Sequence, residues 1–317
     1  MKRSLTVVAV LILALLAGLA GYLYSKQPTR QGQVELNGLQ GSVTVRYDER
    51  GVPHIRAENE ADLYRALGYV HAQDRLFQME VLRRLSRGEL AEVLGPKLVD
   101  TDKLFRSLRI RERADSYIAG LDHQSPAWKA LEAYLDGINQ YQDSHASPIE
   151  FDVLGIRKRP FTAEDTVSVA GFMAYSFAMA FRTEPLLTYI RDELGNDYLK
   201  VFDLDWQPKG VLAKGKTPPS APLATVDWQG LGRIARLSLQ ALEEAGLPQF
   251  EGSNAWVVSG SRTKSGRALL AGDPHIRYSL PSVWYEAQLS APGFELYGHH
   301  QAPVSYTHLT LPTNREV

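Results

Sequence analysis

The 317-residue chain contains no cysteine. Disulfides, thiolate nucleophiles and cysteine-ligated zinc are therefore excluded. The absence does not fix the compartment, because large exported proteins can fold without bridges. A charge imbalance is also missing. The 35 Lys and Arg against 36 Asp and Glu leave a net charge of -1, so no electrostatic footprint for nucleic acid or a phosphate-rich partner is present. No internal repeat is visible, and the composition is that of an ordinary globular chain with one extra apolar segment.

That segment is at the N-terminus. Lys2 and Arg3 precede an uncharged stretch rich in Leu, Ala and Val from Leu5 to Tyr24. It is long enough to span a bilayer and reads as a secretory signal or an uncleaved anchor. A small-residue stretch, Ala17–Gly21, offers a cleavage site without a clean A-x-A, so both readings stay open. The basic flank predicts a cytoplasmic N-terminus and an exported body, periplasmic or facing the exterior. Residues 25–33 are polar, contain Pro28 and Gly32 and read as a tether.

In the body, residues 34–56 read as strands joined by turns, with Asn37-Gly38 as a hairpin signal. Val43, Val45 and Tyr47 alternate with polar residues, as a half-buried strand requires. Asn59 is placed to cap a helix that runs to about Arg87. Ser125-Pro126 opens another in the N-cap and N1 positions, and Thr162 with Asp165 forms a capping box. Residues 167–181 are apolar nearly all round and predict a buried helix. Within the patterned stretch 69–80, His71, Asp74 and Arg75 predict a buried polar network with Arg75 paired to an acid. Lysines, prolines and small residues mark 213–226 as an exposed linker, and an amphipathic helix follows at about 230–245. The last part of the chain reads as strands at 254–260, 268–271, 282–290 and 294–298.

The chemistry centres on Gly252-Ser253-Asn254, where the linker region meets the first of these strands. Taken alone, the tripeptide is a turn. A second reading starts from the weakness of a serine hydroxyl as nucleophile until something accepts its proton. If the chain is cut before Ser253, the new α-amine is an attached base. With a pKa of about 7.7–8.0, roughly 10–20% of it is neutral at pH 7, whereas a lysine is less than about 0.1% neutral. The cut has a route: Ser253 Oγ attacks the carbonyl carbon of Gly252, and water opens the resulting ester. Two other classes remain. One is an unprocessed hydrolase using Ser253, His275 and Asp273, with Pro274 expected to make the last two a turn. The other is a membrane-tethered module that binds acyl ligands without catalysis.

The order Asp48-Glu49-Arg50-Gly51-Val52-Pro53-His54-Ile55, then residues 66–80 (ALGYVHAQDRLFQME), then Arg83-Arg84, Gly88-Glu89-Leu90 and Ala91-Glu92 closely resembles the α-chain opening of the penicillin acylase family. Gly252-Ser253-Asn254-Ala255-Trp256 resembles the start of that family's β chain. The resemblance implies an α+β chain of the N-terminal-nucleophile hydrolase type, holding part of an αββα sandwich. Its segments would be a signal or anchor with tether (1–33), an α-chain region (34–211), a spacer (212–252), the start of the β chain (253–302) and a tail outside the family pattern (303–317). It further implies an exported precursor whose α and β chains stay associated. That precursor cleaves penicillin-like, cephalosporin-like, acyl-homoserine-lactone or related amides without an organic cofactor.

By the same resemblance Ser253 is the catalytic serine, and the peptide between Gly252 and Ser253 is the autocleavage site. His275 would orient the amine or bind the intermediate through its backbone carbonyl or side chain; by itself it reads as a loop histidine. Met173 and Phe177 fall where the family lines its acyl pocket, though core packing explains them equally. Glu184 corresponds to a glutamate that binds Ca²⁺, and a hard carboxylate suits that ion; a helix-end surface glutamate is the alternative. The oxyanion-hole groups and most calcium ligands of the family lie beyond Val317. This stretch alone is therefore expected to be inactive, since losing one oxyanion donor costs on the order of 10²–10³ in rate.

Overall fold

The computed structural model describes residues 2–178, 180–199, 227–244 and 250–301. The expected linker at 213–226, the α-chain end at 211 and the tail at 303–317 lie outside the described residues. In chain order the elements are α1 (Lys2–Ser25), β1 (Thr44–Tyr47), β2 (Pro53–Arg56), α2 (Glu60–Arg87), α3 (Ala91–Leu94), α4 (Val99–Ser107), α5 (Ile110–Ala119), α6 (Pro126–Ser144), α7 (Ile149–Leu154), α8 (Ala163–Phe177), α9 (Ala180–Tyr189), α10 (Asn196–Leu199), α11 (Trp228–Glu244), β3 (Phe250–Val258), β4 (Leu269–Ile276), β5 (Tyr285–Ala291) and β6 (Phe294–His300). The chain is α+β, with helices first and antiparallel hairpins last.

Two distant hairpins build one sheet in the order β1-β2-β5-β6. The first closes because the Asp48 carboxylate accepts from the backbone of both Arg50 and Val52 at 2.9 Å. Strand β2 then runs parallel to β5, pairing Ile55 with Leu289. One face, carrying Ile55, Tyr285, Ala287, Leu289 and Leu296, joins the core formed with α2 and α6. Residues 34–43, expected to contain strand, join no ladder, with a turn at 37–38 and bends at 40–41. The pairing that would keep them in a ladder is taken by β2 on one side of β1, and β1 is the sheet edge. The segment at 25–33 is not a free tether either. Lys26 donates to Ser147 O at 2.8 Å, and the Arg30 guanidinium lies 4.9 Å from the Tyr47 ring centre.

Local signals set the helix ends. Asn59 Oδ1 accepts from Asp62 N at 2.9 Å to start α2, and Gly88 ends it in the left-handed conformation, φ 65°. Ser125 caps α6 ahead of Pro126, and the Thr162–Asp165 capping box is complete. Helices α2 and α6 cross at two glycines. A Cβ on Gly68 would lie 1.9 Å from the Tyr134 carbonyl oxygen, and one on Gly137 would lie 1.9 Å from that of Arg65. Backbone cannot yield as a side chain does. Gly137→Ala is therefore expected to cost at least the upper end of the usual overpacking range of about 1–3 kcal/mol. Gly120→Ala, where a Cβ meets nothing closer than 3.6 Å, should be near neutral; thermal melting of the two variants checks the contrast.

The family-like motif of α2 is largely an ion network. Buried Glu80 accepts from Arg83 and, at 2.6 Å, from Arg84 Nε. Arg83 also donates to Pro160 O and Asp165, Arg87 reaches Asp165 at 2.8 Å, and Arg159 pairs with Glu89 at 3.0 Å. Arg75 does not take the acid expected for it. Asp74 accepts from Tyr285 Oη at 2.8 Å and faces Arg30, and the Arg75 guanidinium lies over the Tyr285 ring.

His71 is buried, with Nδ1 against Tyr134 Oη at 2.7 Å. Burial first, then His300 and the Arg75 charge, hold its imidazole well below the ordinary histidine range. The sign follows from proton counts. Below about pH 6.5 an unfolded histidine takes a proton that the native one refuses, so stability is full above that pH and falls as the pH drops. Urea midpoints measured between about pH 7.5 and 5 should decline, and His71→Gln should flatten the decline.

Helix α8 ends earlier and is more exposed than the composition of residues 167–181 predicts. It ends at Phe177, with α9 starting at Ala180. Val169 and Phe172 enter a second core with Leu82, Leu85 and Phe105, whereas Ala170, Ala174 and Phe177 are exposed. The reason is that α2, α5 and α6 cover one side of it, leaving an open groove of about 1110 Å³ against α5, lined in part by Ile110, Ala114, Val167 and Gly171.

Candidate active site

Ser253 is the fourth residue of β3, not its first, because the intact chain carries the ladder back to Phe250. The partner is β4, which includes Pro274; the segment expected to turn there is extended. Proline is tolerated because this sheet has two strands and both are edges. The register pairs Gly252 with His275, Ser253 with Pro274 and Asn254 with Asp273, and it slips between Phe250 and Gly252. That irregularity lies immediately before the expected cut. Bulges of this kind bend a strand and re-aim its next side chain.

The contacts at the junction follow from this register. Ser253 Oγ donates to the carbonyl oxygen of Gly252 at 2.7 Å, which holds the hydroxyl at the carbonyl it would have to attack. His275 Nε2 lies 2.8 Å from Asp273 Oδ2 and 3.2 Å from Asn254 Nδ2. One nitrogen cannot donate to the carboxylate and accept from an amide at once. The consistent assignment is Nε2–H shared between Asp273 and a flipped Asn254 oxygen. Neighbours across a ladder share a face and successive residues alternate. Gly252, Asn254, Asp273 and His275 therefore stand on one face, and Ser253 projects from the other with Pro274. The Ser253, His275 and Asp273 side chains do not converge as a triad.

Gly252 has φ 157°, which side chains rarely adopt, while a Cβ there would meet nothing nearer than His275 Nδ1 at 3.9 Å. Conformation, rather than crowding, is what favours glycine before the serine. Helix α8 packs against β3, bringing the element of Met173 and Phe177 to the strand of Ser253. Met173 is half-buried against the second core, and Phe177 is 42% exposed; neither lines the groove on α5. Glu184 is exposed on α9. Among the described residues no group of three or more His, Asp or Glu is arranged to hold a metal. One carboxylate supplies at most two of the six to eight oxygens that Ca²⁺ takes, so the described residues do not make that site. The contact of Asn254 with His275 was not foreseen from sequence; only the strand register announces it.

Comparison with known proteins agrees with this picture at the level of family. The penicillin amidase family model matches residues 42–310, a range that includes 303–310 of the expected tail. The chain is 34% identical over 286 residues to "Penicillin acylase 2 proenzyme" of Pseudomonas sp. (strain SE83), covering 86% of this chain and 35% of that protein. It is 30% identical over 305 residues to "Acyl-homoserine lactone acylase QuiP" of Pseudomonas aeruginosa, covering 89% of this chain and 34% of that protein. A solved thermostable penicillin G acylase from Alcaligenes faecalis is similar at 28% identity and TM-score 0.41, over 57% of this chain and 98% of that one. The chain thus spans about a third of the length of the curated relatives it matches. With the family model covering most of its length, the chain belongs to the penicillin amidase family.

Proposed function

We propose that this chain is the front part of a self-processing amide hydrolase that cuts itself between Gly252 and Ser253. In the cut, Ser253 Oγ adds to the Gly252 carbonyl carbon, the bond to the Ser253 nitrogen breaks, and the hydroxyl proton ends on that nitrogen. Water then opens the ester, leaving a Gly252 carboxylate and a Ser253 that carries both a free hydroxyl and a free amine. In later turnovers the amine takes the hydroxyl proton while Oγ attacks an acyl amide, and an acyl-enzyme forms and is hydrolysed. The observation that carries the reading is the 2.7 Å hydrogen bond from Ser253 Oγ to the Gly252 carbonyl, directly after a slipped register. The pairing of Gly252 with His275 favours the backbone of His275, rather than its ring, as the group that orients the new amine.

The substrate class within this reading is a penicillin-like, cephalosporin-like, acyl-homoserine-lactone or related amide, with Met173 and Phe177 contributing to the acyl pocket. A methylene is worth only about 1–3 kcal/mol in such a pocket, so the acyl group is best found by trial. A precursor of the relatives' full length, challenged with aromatic, dicarboxylic and fatty acyl amides, should release free acid from one class at least tenfold faster than from the others. Release from none, by a correctly cut enzyme, contradicts the reading. Glu184 as one ligand of a structural Ca²⁺ belongs to the same proposal, and no step passes through that ion. A thermal midpoint that rises with added Ca²⁺ in the parent, and not in Glu184→Gln, supports it; an equal rise in both contradicts it.

A further inference from the structure

The N-terminal helix and the short helix α7 together present a surface that the amide chemistry does not use. Residues Val7–Ser25 of α1 are apolar and long enough to cross a membrane, and none of that stretch is buried in the protein. Its end is fastened to the body. Tyr22 Oη donates to Asp152 Oδ2 at 2.7 Å, and Lys26 donates to the same oxygen and to Ser147 O. These bonds, Lys26 foremost, hold the Asp152 carboxyl below its usual range.

Asp152 belongs to α7, which has two unlike sides. Phe151 is buried in the main core and Leu154 packs against it. Ile149 and Val153, four residues apart and so on one face, are 37% and 76% exposed. This apolar edge adjoins the residue that clamps the membrane-length helix. Tyr24 is exposed at the end of α1, and Arg157 and Lys158 are exposed just after α7. Tyrosine beside an apolar edge and cations at its rim is the chemistry that suits the lipid–water boundary.

We propose that α1 remains attached as a membrane anchor and that the Ile149–Val153 edge of α7 rests in the lipid–water boundary, seating the body against the bilayer. The occupant of this face is a phospholipid membrane, and the face continues directly from the spanning helix. One further observation fits. Lys26 and Arg30 bind the following segment to the body, so little slack separates body from membrane.

These 317 residues contain no cysteine, and any cysteine in the remainder of the precursor is first replaced by serine so that each label is unique. Val153→Cys and Lys129→Cys, each carrying one nitroxide, are prepared from the full precursor and reconstituted in vesicles of phosphatidylcholine and phosphatidylglycerol. Both positions are exposed, so folding is not at issue. The label at 153 should collide severalfold more with oxygen than with a water-soluble nickel chelate, and the label at 129 should do the reverse. Asp152→Ala should release the clamp and raise nickel access at 153. Intact mass of the detergent-extracted protein should include residues 1–25. A mass beginning after Gly21, or a label at 153 as open to nickel as that at 129, overturns the proposal. Neither result bears on the chemistry at Ser253.

Discussion

Ser253→Ala in a precursor of the relatives' full length is expected to leave one uncut chain on a gel and to abolish amide turnover. The size of the effect follows from what one atom does twice. Oγ is the nucleophile of the self-cleavage and, once freed, of every later acyl transfer. Removing a nucleophile of this kind costs on the order of 10⁶ in kcat, and here the uncut chain also never gains its amine base. His275→Ala should cost less than Ser253→Ala in both steps. It deletes the imidazole but keeps the backbone that the register sets opposite Gly252. An equal loss in the two variants would favour a side-chain role for His275. A Ser253→Ala precursor that is still cut before residue 253 removes self-cleavage from the account.

Glu80→Ala is expected to be more destabilising than any other single change proposed for this chain. Its carboxylate is fully buried and takes both Arg83 and Arg84, whose side chains are also almost wholly buried. Removing one partner from such a network leaves charges stranded away from water, a cost of about 3–5 kcal/mol. Replacing the group together, as Glu80→Leu with Arg83→Leu and Arg84→Met, should cost less than the single change, because no unpaired charge remains. Urea unfolding of the two variants separates the cases. If Glu80→Ala shifts the midpoint no more than an exposed change such as Glu112→Ala, the network is not holding α2 to the segment around Arg159 and Asp165.

These two sites also separate what is local in the sequence from what is not. Helix limits were legible because they are local: Asn59, Gly88, Ser125-Pro126 and the Thr162–Asp165 box each act within one turn. The alternation at Val43, Val45 and Tyr47 was legible for the same reason. The parallel pairing of Ile55 with Leu289 was not, since nothing near either residue names a partner more than two hundred positions away. Arg75 was expected to pair with an acid because a buried cation needs a partner, and three dimensions give the neighbouring Asp74 to Tyr285 and Arg30 instead. At the candidate site, the tripeptide and its setting are what single out position 253, while the face on which His275 stands was not legible. A spacing of 22 residues between Ser253 and His275 fixes no register, and the ladder places the two on opposite faces.

The most direct measurement is the intact mass and N-terminal sequence of the mature, active, full-length protein. A chain whose first residue is Ser253, bearing a free amine, is the expected result. Amide turnover by a protein whose Gly252–Ser253 bond is unbroken would contradict the account, because the group proposed to accept the serine proton would not then exist.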